Sequence, residues 1–182
     1  MAHDTYISPL STRYASAQMQ HIFSEEFKFR TWRKLWIALA RAEHNLGLDV
    51  TAQQIAELEA HRDDVNYEVA QQREKQVRHD VMSHVYAYGV QCPNAAGIIH
   101  LGATSCYVGD NTDVVILREA SRLVLKKCAQ VVKNLSDPEL SLDDAFKSYE
   151  EGVQLLKHCN DTLDKVEKKV MLINDNGETS IF

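Results

Sequence analysis

Residues 97–113 read GIIHLGATSCYVGDNTD. An apolar lead-in, Ile98 and Ile99, runs into His100, Gly102, Thr104, Ser105, Gly109, Asp110, Asn111 and Asp113. The glycines allow tight or positive-φ backbone and close approach of a ligand. The hydroxyls and the imidazole between them donate to or accept from an anion. Asp110 fits the N-cap of a long helix running to about residue 135. A polar loop at a helix start suits anionic groups, because free N–H groups point outward there. By spacing alone the stretch reads equally well as an ordinary capped loop.

Working outward, helical periodicity dominates both flanks. Phe29, Trp32, Leu35, Trp36, Leu39, Ala42 and Leu46 recur at helical spacing and predict a helix over 25–46. Gly47 is the expected C′ residue, with Leu48 as its apolar partner. Thr51 with Gln54 makes a capping-box pattern before a helix over 52–61, with Ile55 and Leu58 inward. A more polar helix is expected over 66–76. In VRHDVMSHVYAYG, residues 77–89, the stripe is Val81, Val85 and Tyr88. Arg78, His79 and Asp80 stand together at its start, and a carboxylate can orient an imidazole. His79 and His84 are five apart, unlike the spacing of a helical zinc site, so no metal is expected. Gln91-Cys92-Pro93-Asn94 ends that helix. In the helix beyond the loop, Val114, Leu117, Leu123, Val124, Val131, Val132 and Leu135 form a broad apolar surface that needs neighbours.

Asp137-Pro138 breaks the pattern, and Ser141 with Asp144 opens another helix. Leu142, Tyr149, Leu156, Leu163 and Val170 fall at one heptad position; Ala145, Gly152, Cys159, Val166 and Ile173 fall at the other. The spacing predicts a helix packed lengthwise on another helix. Asn174-Asp175-Asn176-Gly177 is expected to end it, with the last five residues a frayed tail.

The chain has 182 residues and a formal net charge of −6. Residues 1–136 carry 15 basic and 15 acidic side chains, whereas residues 137–182 carry 5 and 11. That asymmetry points to two segments of different character, and the acidic balance argues against direct nucleic-acid binding. Four cysteines without CxxC spacing, no signal-peptide pattern at the start and no apolar run of membrane-spanning length point to the cytoplasm.

Two resemblances follow from these motifs. SPLSTRY, FRTWRKLWIALARAE, RHDVMSH and AAGIIHLGATSCYVGDNTD make residues 1 to about 135 resemble the N-terminal region of the adenylosuccinate lyases, in the fumarase/aspartase superfamily. The resemblance implies an all-α fold: a lyase-type helical domain over 1–109, the first long helix of a central bundle over 110–136, and then a heptad helix over 137–182. It implies a fumarate-releasing C–N lyase of purine biosynthesis, working on adenylosuccinate or a related carboxamide ribotide, without cofactor or metal, as a homo-oligomer. By the same resemblance, Arg13 and Tyr14 hold the nucleotide end of the substrate. Arg78, His79 and Asp80 also contact substrate, with His79 assisting acid chemistry. Thr104 and Ser105 bind the succinyl carboxylate. The family's Thr-His-x-Gln-Pro-Ala run, with the general-acid histidine, and its Ser-Ser-x-Met-Pro-Tyr-Lys loop, with the base serine, do not occur in these 182 residues. The expectation is therefore a substrate-binding fragment, inactive alone.

The second resemblance rests on LSLDDAF, YEEGV and VEKKV. They make residues 137–182 similar to the second half of the exonuclease VII small subunit, with that family's first helix missing. It implies docking on a nuclease large subunit through residues 142–173. The chain thus reads as a chimera of two partial families, joined near residues 134–138.

Overall fold

The structure, a computed structural model, describes residues 8–136, 141–169, 172–173 and 179–180, with side chains through residue 157 except Leu142. The chain divides into two compact units, Met1–Ala120 and Ser121–Phe182. Among the described residues the fold is all-α apart from one two-residue strand pair.

The first unit begins with a π-helical turn, Leu10–Tyr14, and a short helix α1, Ala17–Ile22. Helix α2 spans Glu25–Asn45 and is N-capped by Ser24, whose side chain accepts from the Phe27 N–H. It ends as the sequence predicts. Gly47 adopts φ +81°, the Leu48 N–H reaches the Glu43 carbonyl and the Gly47 N–H reaches that of His44. This is the two-bond glycine termination that satisfies the last carbonyls. Helix α3, Ala52–Ala60, opens with the complete Thr51–Gln54 capping box. Helix α4, Tyr67–Val77, is capped by Asn66, α5 spans Asp80–Gln91, and successive turns lead into α6, Ser105–Leu135.

The core gathers Trp32 and Trp36 from α2, Ile55 and Leu58 from α3, Val81 and Tyr88 from α5, Cys92, Ala95, Ile98 and Ile99 from the end of α5 and the turns, and Val108 from α6. The face of α2 differs from expectation at its C-terminal end. Ala42 and Leu46 are exposed, while Ile37, Ala40 and Glu43 are buried. The buried face of α2 also takes in the polar side chains of Arg33 and Glu43.

Arg33 is the unit's polar knot. Its side chain is only 3% exposed. It donates to the His61 carbonyl and to Gln91 Oε1 at 2.6 Å, pairs with Asp64 at 3.5 Å and lies 4.2 Å from the Tyr88 ring centroid. Burial pushes its pKa down, and the neighbouring Tyr88 and Asp64 oppose that. A forked guanidinium can serve these separate partners at once. It ties α2 to the α3–α4 link and to the end of α5.

In the second unit, the C-terminal half of α6 meets α7, Leu142–Lys169. A methyl group built on Gly152 would lie 3.0 Å from Val131 Cγ1. The helices run antiparallel. The Ser136 N–H still bonds the Val132 carbonyl, and the Ser141 carbonyl already accepts from Ala145. With a 1.5 Å rise, a parallel pair in this register would separate Ser136 from Ser141 by about 24 Å along the axis, beyond the ~18 Å reach of five Cα steps. The antiparallel pair needs about 9 Å.

The two predicted heptad positions of α7 differ in exposure among the described residues. Ala145, Ser148, Gly152 and Leu155 are half-buried, whereas Tyr149 and Leu156 of the other predicted seam position are 61% and 63% exposed. The small residues line the contact because α6 approaches closely at Gly152. The side chains of Leu142, Cys159, Leu163, Val166 and Val170 lie outside the described residues. Ile173 does not continue the helix. Leu172–Ile173 forms strand β1, antiparallel to β2, Thr179–Ser180, with Ile173 opposite Thr179. The expected tail is therefore paired at Thr179 and Ser180. The predicted stop at Asn174–Gly177 lies outside the described residues.

Candidate functional site

The loop after α5 is held in place by named polar contacts. Glu57 on α3 accepts from the Ala95 N–H at 2.9 Å and from Asn94 Nδ2 at 3.1 Å. Gln54 Nε2 donates to the Asn94 carbonyl at 2.9 Å. Ala96 backs onto Gly89, where a methyl group would stand 3.2 Å from the Ala96 Cβ. The loop then reaches His100, which takes φ +66°. That left-handed conformation is costly for a residue with a Cβ. A bond from Trp36 Nε1 to His100 Nδ1 at 3.0 Å holds the ring there. With Nδ1 accepting, the neutral ring carries its proton on Nε2. Burial and the nearby His79 push the His100 pKa down, which favours that neutral form.

Helix α6 starts at Ser105, five residues before the expected Asp110. Asp110 is exposed within the second turn. The turns over 93–102 already bring the chain round, so the helix takes up the first residues after Gly102, which has φ +63°.

His79 is the N-cap of α5, and its Nδ1 accepts from the Met82 N–H at 3.4 Å. The other ring nitrogen, Nε2, lies 3.3 Å from Ser105 Oγ. Two helix starts therefore converge on one His–Ser pair. Both carry the positive end of a helix dipole, which favours an anion, although at α5 the Val81 and Met82 N–H groups are already taken by Asp80 and His79. The pair is accessible, because the His79 side chain is 44% exposed.

Asp80 turns its carboxylate to the start of its own helix, accepting from the Val81 N–H at 2.7 Å. Lys28 on α2 stands 3.8 Å from its other oxygen. Arg78 is exposed and left-handed, φ 50°, as the C-cap of α4. Thr104 is exposed beside Ser105, and its carbonyl accepts from the Tyr107 N–H.

The structure thus brings the 78–80 stretch and the 104–105 stretch together. Arg13 and Tyr14 lie in the N-terminal π-turn, Arg13 stacked over the Tyr14 ring at 5.6 Å. Among the described residues, no hydrogen bond or ion pair joins them to the His79 group. His100, part of the stretch the sequence singles out, stands beside the site, and Lys28 is a neighbour that sequence reasoning did not assign to it. Only the apolar stripe of α2, which carries Lys28 on its flank, hinted at that lysine. His84, the other histidine of this segment, belongs to the core. It stacks on Phe29 at 3.7 Å, and burial pulls its pKa down to about 4. Among the described residues no cluster of ligand-type side chains could hold a metal, and no helix is long and apolar enough to cross a membrane.

The fold and site define an all-helical segment that presents loop-borne polar groups at converging helix starts. Comparison with known proteins gives that description a family likeness. Over 145 residues, 78% of the chain, it is 48% identical to the adenylosuccinate lyase of Schizosaccharomyces pombe. It is 47% identical over 73% of the chain to that of Schistosoma mansoni, and 31% identical over 72% to that of Methanocaldococcus jannaschii. The chain spans only 28–30% of the length of these relatives. The likeness fits the helical N-terminal domain of the fumarase/aspartase type.

Residues 125–172 match the family model of the exonuclease VII small subunit. That match covers the end of α6 as well as α7, so it takes in both helices of the hairpin where the sequence resemblance placed one. The lyase-like span and residues 125–172 together exceed the length of the chain, so the two likenesses overlap.

Proposed function

We propose that this chain supplies one wall of an adenylosuccinate lyase site, binding substrate without turning it over alone. The observation that carries this reading is the 3.3 Å approach of His79 Nε2 to Ser105 Oγ at two helix starts. In this reading Thr104 and Ser105 receive the succinyl carboxylate. Arg78, His79 and Asp80 contact the substrate, with His79 as the group that assists acid chemistry. Arg13 and Tyr14 hold the nucleotide end. Residues 1–109 act as the lyase-type domain, 110–136 as the first bundle helix and 137–182 as an appended helix, in a cytoplasmic homo-oligomer.

The Thr-His-x-Gln-Pro-Ala and Ser-Ser-x-Met-Pro-Tyr-Lys runs are not among the 182 residues. Loss of a general acid or base costs on the order of 10²–10⁴ in rate per group, so the chain alone is expected to be silent. The test is calorimetric binding of adenylosuccinate beside an absorbance assay of its cleavage. Binding without cleavage supports the reading, and cleavage at an enzyme's ordinary rate by the chain alone contradicts it.

A second reading is favoured by the family match over 125–172. The hairpin then serves as a docking module for a nuclease large subunit, engaged through 142–173. Pull-down of the full chain with an exonuclease VII large subunit tests it; no association at micromolar concentration would exclude it.

A further inference from the structure

Among the described residues, the hairpin of the second unit leaves a second apolar stripe exposed. On α7, Phe146, Tyr149, Val153 and Leu156 follow one another at spacings of three and four and are 45–64% exposed. On α6, Leu125 and Val132 are 69% and 63% exposed, one heptad apart. At about 100° per residue, each stripe is displaced by roughly 100–120° in the same rotational sense from the face its helix turns toward the other. Because the two helices are antiparallel, equal displacements bring both stripes to the same side of the hairpin. That side is one continuous apolar surface.

Its charge is divided. Residues 121–136 of α6 carry four basic side chains, Arg122, Lys126, Lys127 and Lys133, and no acidic one. Residues 142–157 of α7 carry four acidic, Asp143, Asp144, Glu150 and Glu151, and two basic. A surface that is apolar in the middle, basic along one helix and acidic along the other is complementary to itself.

We infer that this face pairs with a second copy of the chain, related by a two-fold axis parallel to the helices. That axis lays α6 of one copy on α7 of the other, basic on acidic, and makes every neighbouring pair antiparallel, as in an up-down four-helix bundle. A two-fold axis across the helices would stack α6 on α6, basic on basic, and is disfavoured. The register follows from the contact of Val131 with Gly152. Val132 falls between Tyr149 and Val153 of the second copy, Leu125 falls against Leu156, and Lys133 falls level with Glu150. This inference does not depend on the lyase reading, whose test is substrate binding.

Sedimentation equilibrium of the full chain tests it. The expected result is a monomer–dimer equilibrium that Leu156→Asp or Val132→Asp abolishes, with helix content retained by circular dichroism. Lys133→Glu and Glu150→Lys should each weaken the dimer several-fold, and the doubly substituted chain Lys133→Glu/Glu150→Lys should recover it. Within one hairpin these two positions lie on opposite outer edges, so recovery reports a contact between copies. Three outcomes overturn the inference: a monomer at all concentrations, association indifferent to Leu156→Asp, or a double variant no tighter than the singles. A chain that stays monomeric and binds only the nuclease large subunit would give the face to that partner instead.

Discussion

His79 Nε2 and Ser105 Oγ lie 3.3 Å apart, although 26 positions separate them in the chain. The contact joins the N-cap of α5 to the first residue of α6. An anionic group placed there would replace the hydroxyl as the partner of the imidazole N–H and gain the free N–H groups of α6. Removing one donor to an anion costs about 1.5–3 kcal/mol, so His79→Ala should weaken adenylosuccinate binding by a factor on the order of ten or more. Ser105→Ala should weaken it less. Titration calorimetry measures both, and unchanged far-UV circular dichroism shows that the fold survives.

Arg33 stands among partners that cannot easily be satisfied without it. Arg33→Met leaves Gln91 Oε1 and the His61 carbonyl without their donor and Asp64 without its cation. Breaking a buried charged network from one side costs about 3–5 kcal/mol. Urea unfolding should show a loss near the lower figure, because Asp64 is 57% exposed and keeps its water. Arg33→Lys should recover little, since a single ammonium cannot span the separate acceptors.

His84 makes the first unit sensitive to acid. Burial holds its pKa at about 4 in the folded chain against an ordinary value of 6.5. Between those values the unfolded chain binds the extra proton, so stability rises with pH. The contribution is fully present above about pH 6.5 and falls as the pH drops toward 4, by on the order of 3 kcal/mol in total. Below that the folded form is protonated as well and the loss levels off. His84→Phe, which preserves the stack on Phe29, should flatten this part of the profile in urea titrations at successive pH values.

Gly152 and Val131 set the spacing of the hairpin. Gly152→Ala gains about 1 kcal/mol of helix propensity but places a methyl group 3.0 Å from Val131 Cγ1. In the Val131→Ala background that obstruction is gone. The same substitution should therefore be more favourable there by about 1 kcal/mol. Hydrogen exchange of the α7 amides gives the cycle. Gly152→Leu should open the hairpin in either background.

Most elements could be read from the sequence because their signals are local. The Thr51–Gln54 box and the Gly47 termination are each written within a few residues and appear as expected. The start of α6 was misplaced because Asp110 looks like a cap, whereas the preceding turns already satisfy the chain by Ser105. The heptad on α7 announced an apolar helix but not which stripe would be covered. Small residues at Ala145, Ser148 and Gly152 won because the approach of α6 is close. Burial of Arg33 was not legible, since it depends on partners brought in from other elements. For the site, residue type and placement singled out the 78–80 and 97–113 stretches, and only the motif resemblance gave their residues roles. Neither the His79–Ser105 contact nor the Trp36–His100 bond has a local signature, because each closes a long stretch of chain.

The central claim is that the 78–80 and 104–105 stretches form a substrate-binding wall that does not complete the reaction. The most direct test is calorimetric titration of the purified full chain with adenylosuccinate, run beside the His79→Ala/Ser105→Ala chain, while absorbance follows cleavage. The account predicts saturable binding by the wild-type chain, its loss in the double variant and no cleavage by either. Cleavage by the wild-type chain alone, or equal binding by both chains, would contradict it.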